Sequence, residues 1–224
     1  MARHFTNKIY LSNDIENIIK KSDFLGKGNN GVVYKINNEK IIKIFNSKDV
    51  CNTELEILKR SSGCKSFPQV YDYGDFYIIR DFVEGVRLDK YLNKNPINKE
   101  IVQNIVSLID EFKSLNYKKL DIRCKDLYLQ SDFSLKVIDP KDNYSRKMSF
   151  PRHLMKGIYK RNQIGDFFYY LREINMDLYK SWKNQFKEYA KDLSSKDMPK
   201  WKLIKNTSTF IILKCFCINL YSNI

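Results

Sequence analysis

Leu120-Asp121-Ile122-Arg123-Cys124-Lys125-Asp126-Leu127-Tyr128-Leu129, followed by Leu135-Lys136-Val137-Ile138-Asp139-Pro140, is the most informative stretch of this 224-residue chain. The apolar runs at 127–129 and 135–138 read as a strand pair. Asp121 and Asp126 lie five residues apart in the loop that enters the first strand, and Asp139 ends the second, thirteen residues after Asp126. A pair so connected can bring Asp126 and Asp139 to one mouth, where Mg²⁺ would find the carboxylates it takes alongside phosphate oxygens and waters. Asp121 stays outside that pair, as a carboxylate that could orient a hydroxyl and accept its proton. Taken singly, an aspartate beside a strand is usually a cap or turn residue, so the reading needs support from elsewhere in the chain.

That support lies upstream. Gly26-Lys27-Gly28-Asn29-Asn30-Gly31-Val32-Val33 fits G-x-G-x-x-G-x-V. Glycines let backbone N–H groups approach phosphate oxygens. A dinucleotide-binding turn of this pattern should open a helix; here a strand-like run follows, and Asn37-Asn38 signals a hairpin turn. Lys43 sits in Ile41-Ile42-Lys43-Ile44-Phe45. It is either an exposed edge lysine or a buried cation that needs a carboxylate, because an unpaired buried charge is costly. Glu54 is the expected partner, since Ile57 and Leu58 three and four residues on anchor the same helical face; Glu56 is the alternative.

Around these motifs the pattern predicts a capping box from Asn13 to Glu16 opening a short helix to 21. Strands are expected over 24–25, 32–36, 41–45, 70–73 and 76–82, with a helix over 50–60 and Gly74-Asp75 as the last turn. From 88 onward the pattern is mainly helical: Ile101, Val102, Ile105, Val106, Leu108, Ile109, Phe112 and Leu115 form a wide apolar stripe. Phe167 to 171 and the series Leu178, Trp182, Phe186, Tyr189 and Leu193 read as core positions. The expected class is α+β: one domain over 1–224, with a small antiparallel β-rich lobe at 1–82 and a larger helical lobe at 83–224, joined near 81–85.

Composition narrows the classes further. An apolar content of 43% with 14% aromatics belongs to a globular chain. No run approaches the roughly 18 apolar residues of a membrane span, and Met1-Ala2-Arg3-His4 is not followed by the apolar run of a signal peptide. Five cysteines (Cys51, Cys64, Cys124, Cys215, Cys217) without a C-x-x-C pair, and two histidines, do not make a zinc-site pattern. Reduced thiols in a cytoplasmic protein are expected, with Cys124 filling space. The net charge of +14 favours anionic partners, nucleic acid or an anionic surface among them; a general preference for Lys, Asn, Ile and Tyr, with lysines solvating ordinary faces, is the first reading of it. The basic segment Arg152, His153, Lys156, Lys160 and Arg161 is either a seat for an anionic acceptor or a solvated helix face. The apolar run at 210–218 is read as buried packing first and as a partner or membrane-surface contact second.

With these residues in hand, the chain resembles a protein kinase over roughly 24–142, in the compact atypical and bacterial manner of the RIO-like group. The resemblance implies ATP with Mg or Mn. It implies a phosphate loop at Gly26, Gly28 and Gly31, with Val33 beside it, and Lys43 on the phosphates, held by Glu54. The stretch Ile79-Arg80-Asp81-Phe82-Val83-Glu84-Gly85 is similar to a hinge, so the backbone of Asp81 and Val83 would hold adenine. Asp121 falls on the base, Asp126 and Asp139 on the metal ligands, and Arg123 on the lysine that contacts the transferred phosphate. Departures from the family pattern are Lys119-Leu120 for His-Arg, Asp126 for Asn, Pro140-Lys141 for Phe-Gly, Arg80 at the gatekeeper, and the lack of an A-P-E. The implied activity is phosphate transfer to a hydroxyl acceptor, most simply protein Ser/Thr. A small-molecule or sugar acceptor, and a nucleotide-binding scaffold without turnover, are the alternatives.

Overall fold

A computed structural model describes residues 9–140 and 147–196, the last five of these by backbone alone. The apolar run at 210–218, with Cys215 and Cys217, and the side chain of Leu193 lie outside the described residues.

Helix α1 (Asn13–Lys20) opens at Ser12, whose hydroxyl accepts from Ile15 N–H at 3.4 Å. The expected cap, Asn13, is therefore already helical; Ser12, one residue earlier, keeps the extended backbone that an N-cap needs. Strands β1 (Asp23–Gly28), β2 (Gly31–Lys35), β3 (Lys40–Phe45), β4 (Val70–Gly74) and β5 (Tyr77–Asp81) form an antiparallel sheet in the order β1-β2-β3-β5-β4, and helix α2 (Lys48–Arg60) is inserted between β3 and β4. The β2–β3 connection turns at Asn37 as expected; its Oδ1 accepts from the N–H groups of Glu39 and Lys40. The β4–β5 turn falls one residue later than expected: Gly74 faces Tyr77, which leaves Asp75-Phe76 to make the turn.

Strand alternation divides the sheet's side chains. Val32, Tyr34, Ile42, Ile44 and Ile79 pack with Ile15 of α1. Phe45 and Ile78 pack on the opposite face with Cys51, Leu55 and Leu58 of α2. Lys43 belongs to this second face, in register between Val33 and Ile78.

After β5 the chain is mainly helical, as the apolar stripes predict. A second antiparallel sheet, β6 (Val86–Arg87), β7 (Leu127–Leu129) and β8 (Leu135–Val137), carries the acidic loop. Two-residue β6 has no periodic signature. It forms because Gly85, at φ +101°, lets the chain pass so close to β7 that a Cβ would lie 2.3 Å from Leu129 O. Helices α3 (Leu88–Tyr91), α4 (Lys99–Ser114), α5 (Arg152–Tyr159), α6 (Ile164–Ile174) and α7 (Met176–Lys196) complete the described chain. One large core joins the apolar face of α4 to α5, α6, Trp182 and Phe186; Phe167 stacks on Trp182 with ring centroids 6.4 Å apart. This core extends to Ile57 and Phe67, so α2 and the turn after it are held against the helical part. Among the described residues, no helix is long and apolar enough to cross a membrane.

Candidate active site

The glycine segment is the β1–β2 hairpin, with Gly28 opposite Gly31 and Asn29-Asn30 as its turn. Its three glycines differ in role. A Cβ on Gly31, at φ +153°, would sit 1.9 Å from Ile44 O, so strand packing itself demands glycine there. A Cβ on Gly26 or Gly28 would meet nothing within 4 Å. Their backbones face open space that an anion could enter.

On the strand paired with the hairpin, Lys43 is buried and its Nζ bonds Glu54 Oε2 at 2.5 Å. Glu54 is buried on α2 beside Leu55, Ile57 and Leu58, whereas Glu56 is exposed; the apolar face that buries the helix thus selects the carboxylate. Asp139 Oδ1 lies 3.5 Å from the same Lys43 Nζ. Val33 is paired across the strands with Lys43 and shares its face. Arg80, at the expected gatekeeper position, is buried and donates through Nη2 to Ile138 O at 2.9 Å. Burial pushes its guanidinium pKa below the ordinary arginine value, against the pull of Glu54, Asp139 and Asp81. Asp139 is thereby approached by the strand lysine, which the helix glutamate holds, while the β5 arginine binds the carbonyl of the residue before it.

The acidic loop enters β7 through a 3₁₀ turn at Cys124–Asp126, and Ile138 N–H donates to Asp126 O at 3.0 Å. That backbone bond joins Asp126 to the residue before Asp139. Arg123 grips Asp126 with two bonds, Nε–Oδ2 at 2.5 Å and Nη2–Oδ1 at 2.8 Å, and reaches Asp139 Oδ2 at 4.0 Å. The Asp126 bond raises the pKa of Arg123 above its ordinary value, against desolvation. Among the described residues, no three His, Cys, Asp or Glu side chains converge as a metal site. Asp126 and Asp139 are two hard carboxylates sharing one guanidinium. This donor pair fits Mg or Mn if Arg123 releases Asp126 and phosphate and water supply the other oxygens. Cys124 fills space as expected: it is buried, its thiol pKa is pushed up to about 12, and its Sγ abuts the bare Cα of Gly157 on α5.

Asp121 is drawn elsewhere. Leu120 N–H donates to Met148 O at 2.8 Å, which sets this loop beside the start of α5. There the Asp121 carboxylate accepts from His153 N–H at 2.7 Å, contacts His153 Nδ1, and lies 3.6 Å from Arg152 Nε. The first two residues of the basic segment thus meet an anion of the chain itself. Sequence reading missed this contact; 32 residues separate the partners and no local pattern marks it. In the hinge-like segment, the Asp81 carboxylate accepts from Gln69 N–H at 2.8 Å and from Tyr71 OH at 2.6 Å, and Phe82 N–H donates to Glu39 O at 2.6 Å. These bonds hold the segment at Asp81 and Phe82.

No family model matches the sequence. Over 141 residues, 58% of this chain, it is 22% identical to YrzF of Bacillus subtilis, a candidate serine/threonine-protein kinase; the match spans 66% of that protein, just under two thirds of its length. Among solved structures, APH(2″)-IIa in a ternary complex with streptomycin and ATP is 17% identical, with a TM-score of 0.37 over 48% of this chain and 41% of that one. The Cydia pomonella granulovirus kinase PK-1 is 16% identical, with a TM-score of 0.43 over 55% of this chain and 52% of that one.

Proposed function

We propose, from the protein-kinase-like fold of this chain, that it is an ATP-dependent phosphotransferase that moves the γ-phosphate to a hydroxyl, with protein serine or threonine as the acceptor. One observation carries the reading: buried Lys43, bonded to Glu54, lies 3.5 Å from Asp139 on the strand that pairs with the glycine hairpin, whose Gly26 and Gly28 border open space. A lysine held rigidly by a carboxylate is oriented for phosphate rather than free to fold onto the sheet.

In this reading the backbones of Gly26 and Gly28 approach the phosphates and Lys43 neutralises them. Val33 borders the base, which hydrogen-bonds to the backbone at Asp81 and Val83. Asp126 and Asp139 would hold Mg or Mn, which supplies Lewis-acid neutralisation of the phosphate oxygens when bound. Arg123 then stands between the acids and the transferred group, where its fixed charge stabilises the equatorial oxygens. Two pairs of unlike charge around one aspartate keep the site organised before nucleotide arrives.

The test is transfer of labelled γ-phosphate from ATP with Mg²⁺ or Mn²⁺ to a protein extract and, separately, to a metabolite pool. Labelled phosphoserine or phosphothreonine is the expected result. Label only in the metabolite pool would replace the acceptor with a small molecule. ATP binding without transfer to any component would make the chain a nucleotide-dependent scaffold, and absence of ATP binding would overturn the whole reading.

A further inference from the structure

Resting on the phosphotransferase reading, the structure assigns Arg80 as the positioning residue for Asp139: a guanidinium sent from β5 to the peptide that carries the proposed cation ligand. Strand alternation sets its direction. Ile78, two residues earlier, packs with α2 and Phe45, and Arg80 lies on that same face of the sheet, which is also the face of Lys43. Its cross-strand neighbours are Ile41 and Val70, and the residue is only 5% exposed. An apolar side chain would fill this position without the cost of burying a charge. What the guanidinium adds is therefore found in its acceptors, and these are carbonyls: Nη2 donates to Ile138 O at 2.9 Å and Nη1, less closely, to Asp81 O at 3.4 Å.

The first acceptor decides the role. Ile138 O belongs to the peptide unit whose nitrogen is that of Asp139. The N–H of Ile138, on the peptide before it, donates to Asp126 O at 3.0 Å. Ile138 is thus held at both ends, by the backbone of one candidate acid and by Arg80. Strand β8 ends at Val137, and these two bonds carry the chain from there to Asp139. Its carboxylate then stands 3.5 Å from Lys43 Nζ and 4.0 Å from Arg123 Nη2. The field of Glu54, Asp139 and Asp81 favours the Arg80 cation where it lies. Arg80 acts on the bound cation through Asp139. Loss of a group that orients a metal ligand typically costs about 10- to 100-fold in metal affinity.

Binding of the β,γ-imido analogue of ATP to the full chain is measured in EDTA and in Mn²⁺; the ratio of the two Kd values is the coupling between nucleotide and cation. Chelation of Mn²⁺ by the free analogue is common to all variants and cancels when their ratios are compared. Arg80→Met removes the donors and keeps an apolar chain of similar reach. Arg80→Lys keeps the charge but loses the planar fork. Urea unfolding checks that each is folded. In Arg80→Met the ratio should fall about 10-fold or more, toward that of Asp139→Asn, with the Kd in EDTA little changed, and Arg80→Lys should lie between Arg80→Met and wild type. A wild-type ratio in Arg80→Met would overturn the inference, as would a wild-type ratio in Arg80→Lys where Arg80→Met does not fold. Equal losses of affinity in EDTA and in Mn²⁺, the result of a merely structural role, would overturn it too. Each of these leaves the phosphotransferase reading standing, whereas a wild-type chain that binds the analogue in neither condition would overturn both.

Discussion

Lys43 and Glu54 are both buried, and breaking one half of a buried ion pair costs about 3–5 kcal/mol, much of it from the charge left behind. In Glu54→Ala, Asp139 remains 3.5 Å from Lys43, so the loss in urea unfolding should lie at the low end, about 3 kcal/mol. The double variant Lys43→Met/Glu54→Leu removes both charges and fills the space with apolar atoms. It should unfold within about 1 kcal/mol of wild type yet show no stabilisation by ATP. A double variant as unstable as the single one would mean that the pair is not an isolated electrostatic unit. The glycines offer a parallel contrast. Gly31→Ala forces a Cβ to within 1.9 Å of Ile44 O and should cost about 1–3 kcal/mol or more. Gly28→Ala, with nothing within 4 Å of the new atom, should leave stability nearly unchanged while weakening ATP-induced stabilisation. Equal losses of stability would remove the distinction between a packing glycine and a ligand-facing one.

At the scale of elements, α5 begins at Pro151, which offers no side-chain cap. Asp121, from 32 residues away, accepts the His153 N–H in its place. Removing a cap costs about 1 kcal/mol. Asp121→Ala should therefore speed hydrogen exchange at the first-turn amides of α5, while Asp121→Asn, which keeps an acceptor oxygen, should leave them protected. Unchanged exchange in Asp121→Ala would mean that packing alone holds the helix. The far side of the same junction is closed by Cys124 against Gly157, where a Cβ would lie 2.4 Å from the sulfur. The Cys124 thiol pKa, like that of Cys51, is raised to about 12 by burial, so almost no thiolate exists near neutral pH. An alkylating reagent should modify neither residue before the protein unfolds; rapid native labelling of Cys124 would show that this junction opens.

Over the whole molecule, the site is a seam between the sheet and the helical part, crossed by Lys43 to Asp139 and by Arg80 to Ile138 O. A nucleotide that binds this seam only when it is folded stabilises by RT ln(1 + [L]/Kd), about 2.7 kcal/mol at a hundred times Kd. ATP with Mg²⁺ or Mn²⁺ should therefore raise the Tm, and no shift at millimolar nucleotide with either metal would count against the site. Asp139→Asn should abolish transfer, because Asp139 is the acid that Lys43 and Arg123 both approach. Asp126→Asn should be milder, since its main contact is Arg123. Equal damage from the two substitutions, compared by initial rates, would mean that both charges are needed on the cation.

The hairpin, the strand lysine and the strand-linked acids were legible because strand alternation and turn chemistry are local: each residue's face follows from its neighbours a few positions away. Glu54 could be preferred to Glu56 for the same reason, through the apolar residues one helical turn on. Sequence alone placed the helix cap one residue late and the β4–β5 turn one residue early, since two adjacent polar or glycine positions compete almost equally for such sites. What only the tertiary structure decided were the long-range hydrogen bonds: Arg80 reaching Ile138 across 58 residues, and Asp121 turned toward Arg152 and His153. A buried polar group must find a partner, but its own segment does not say which distant segment folding will bring within reach.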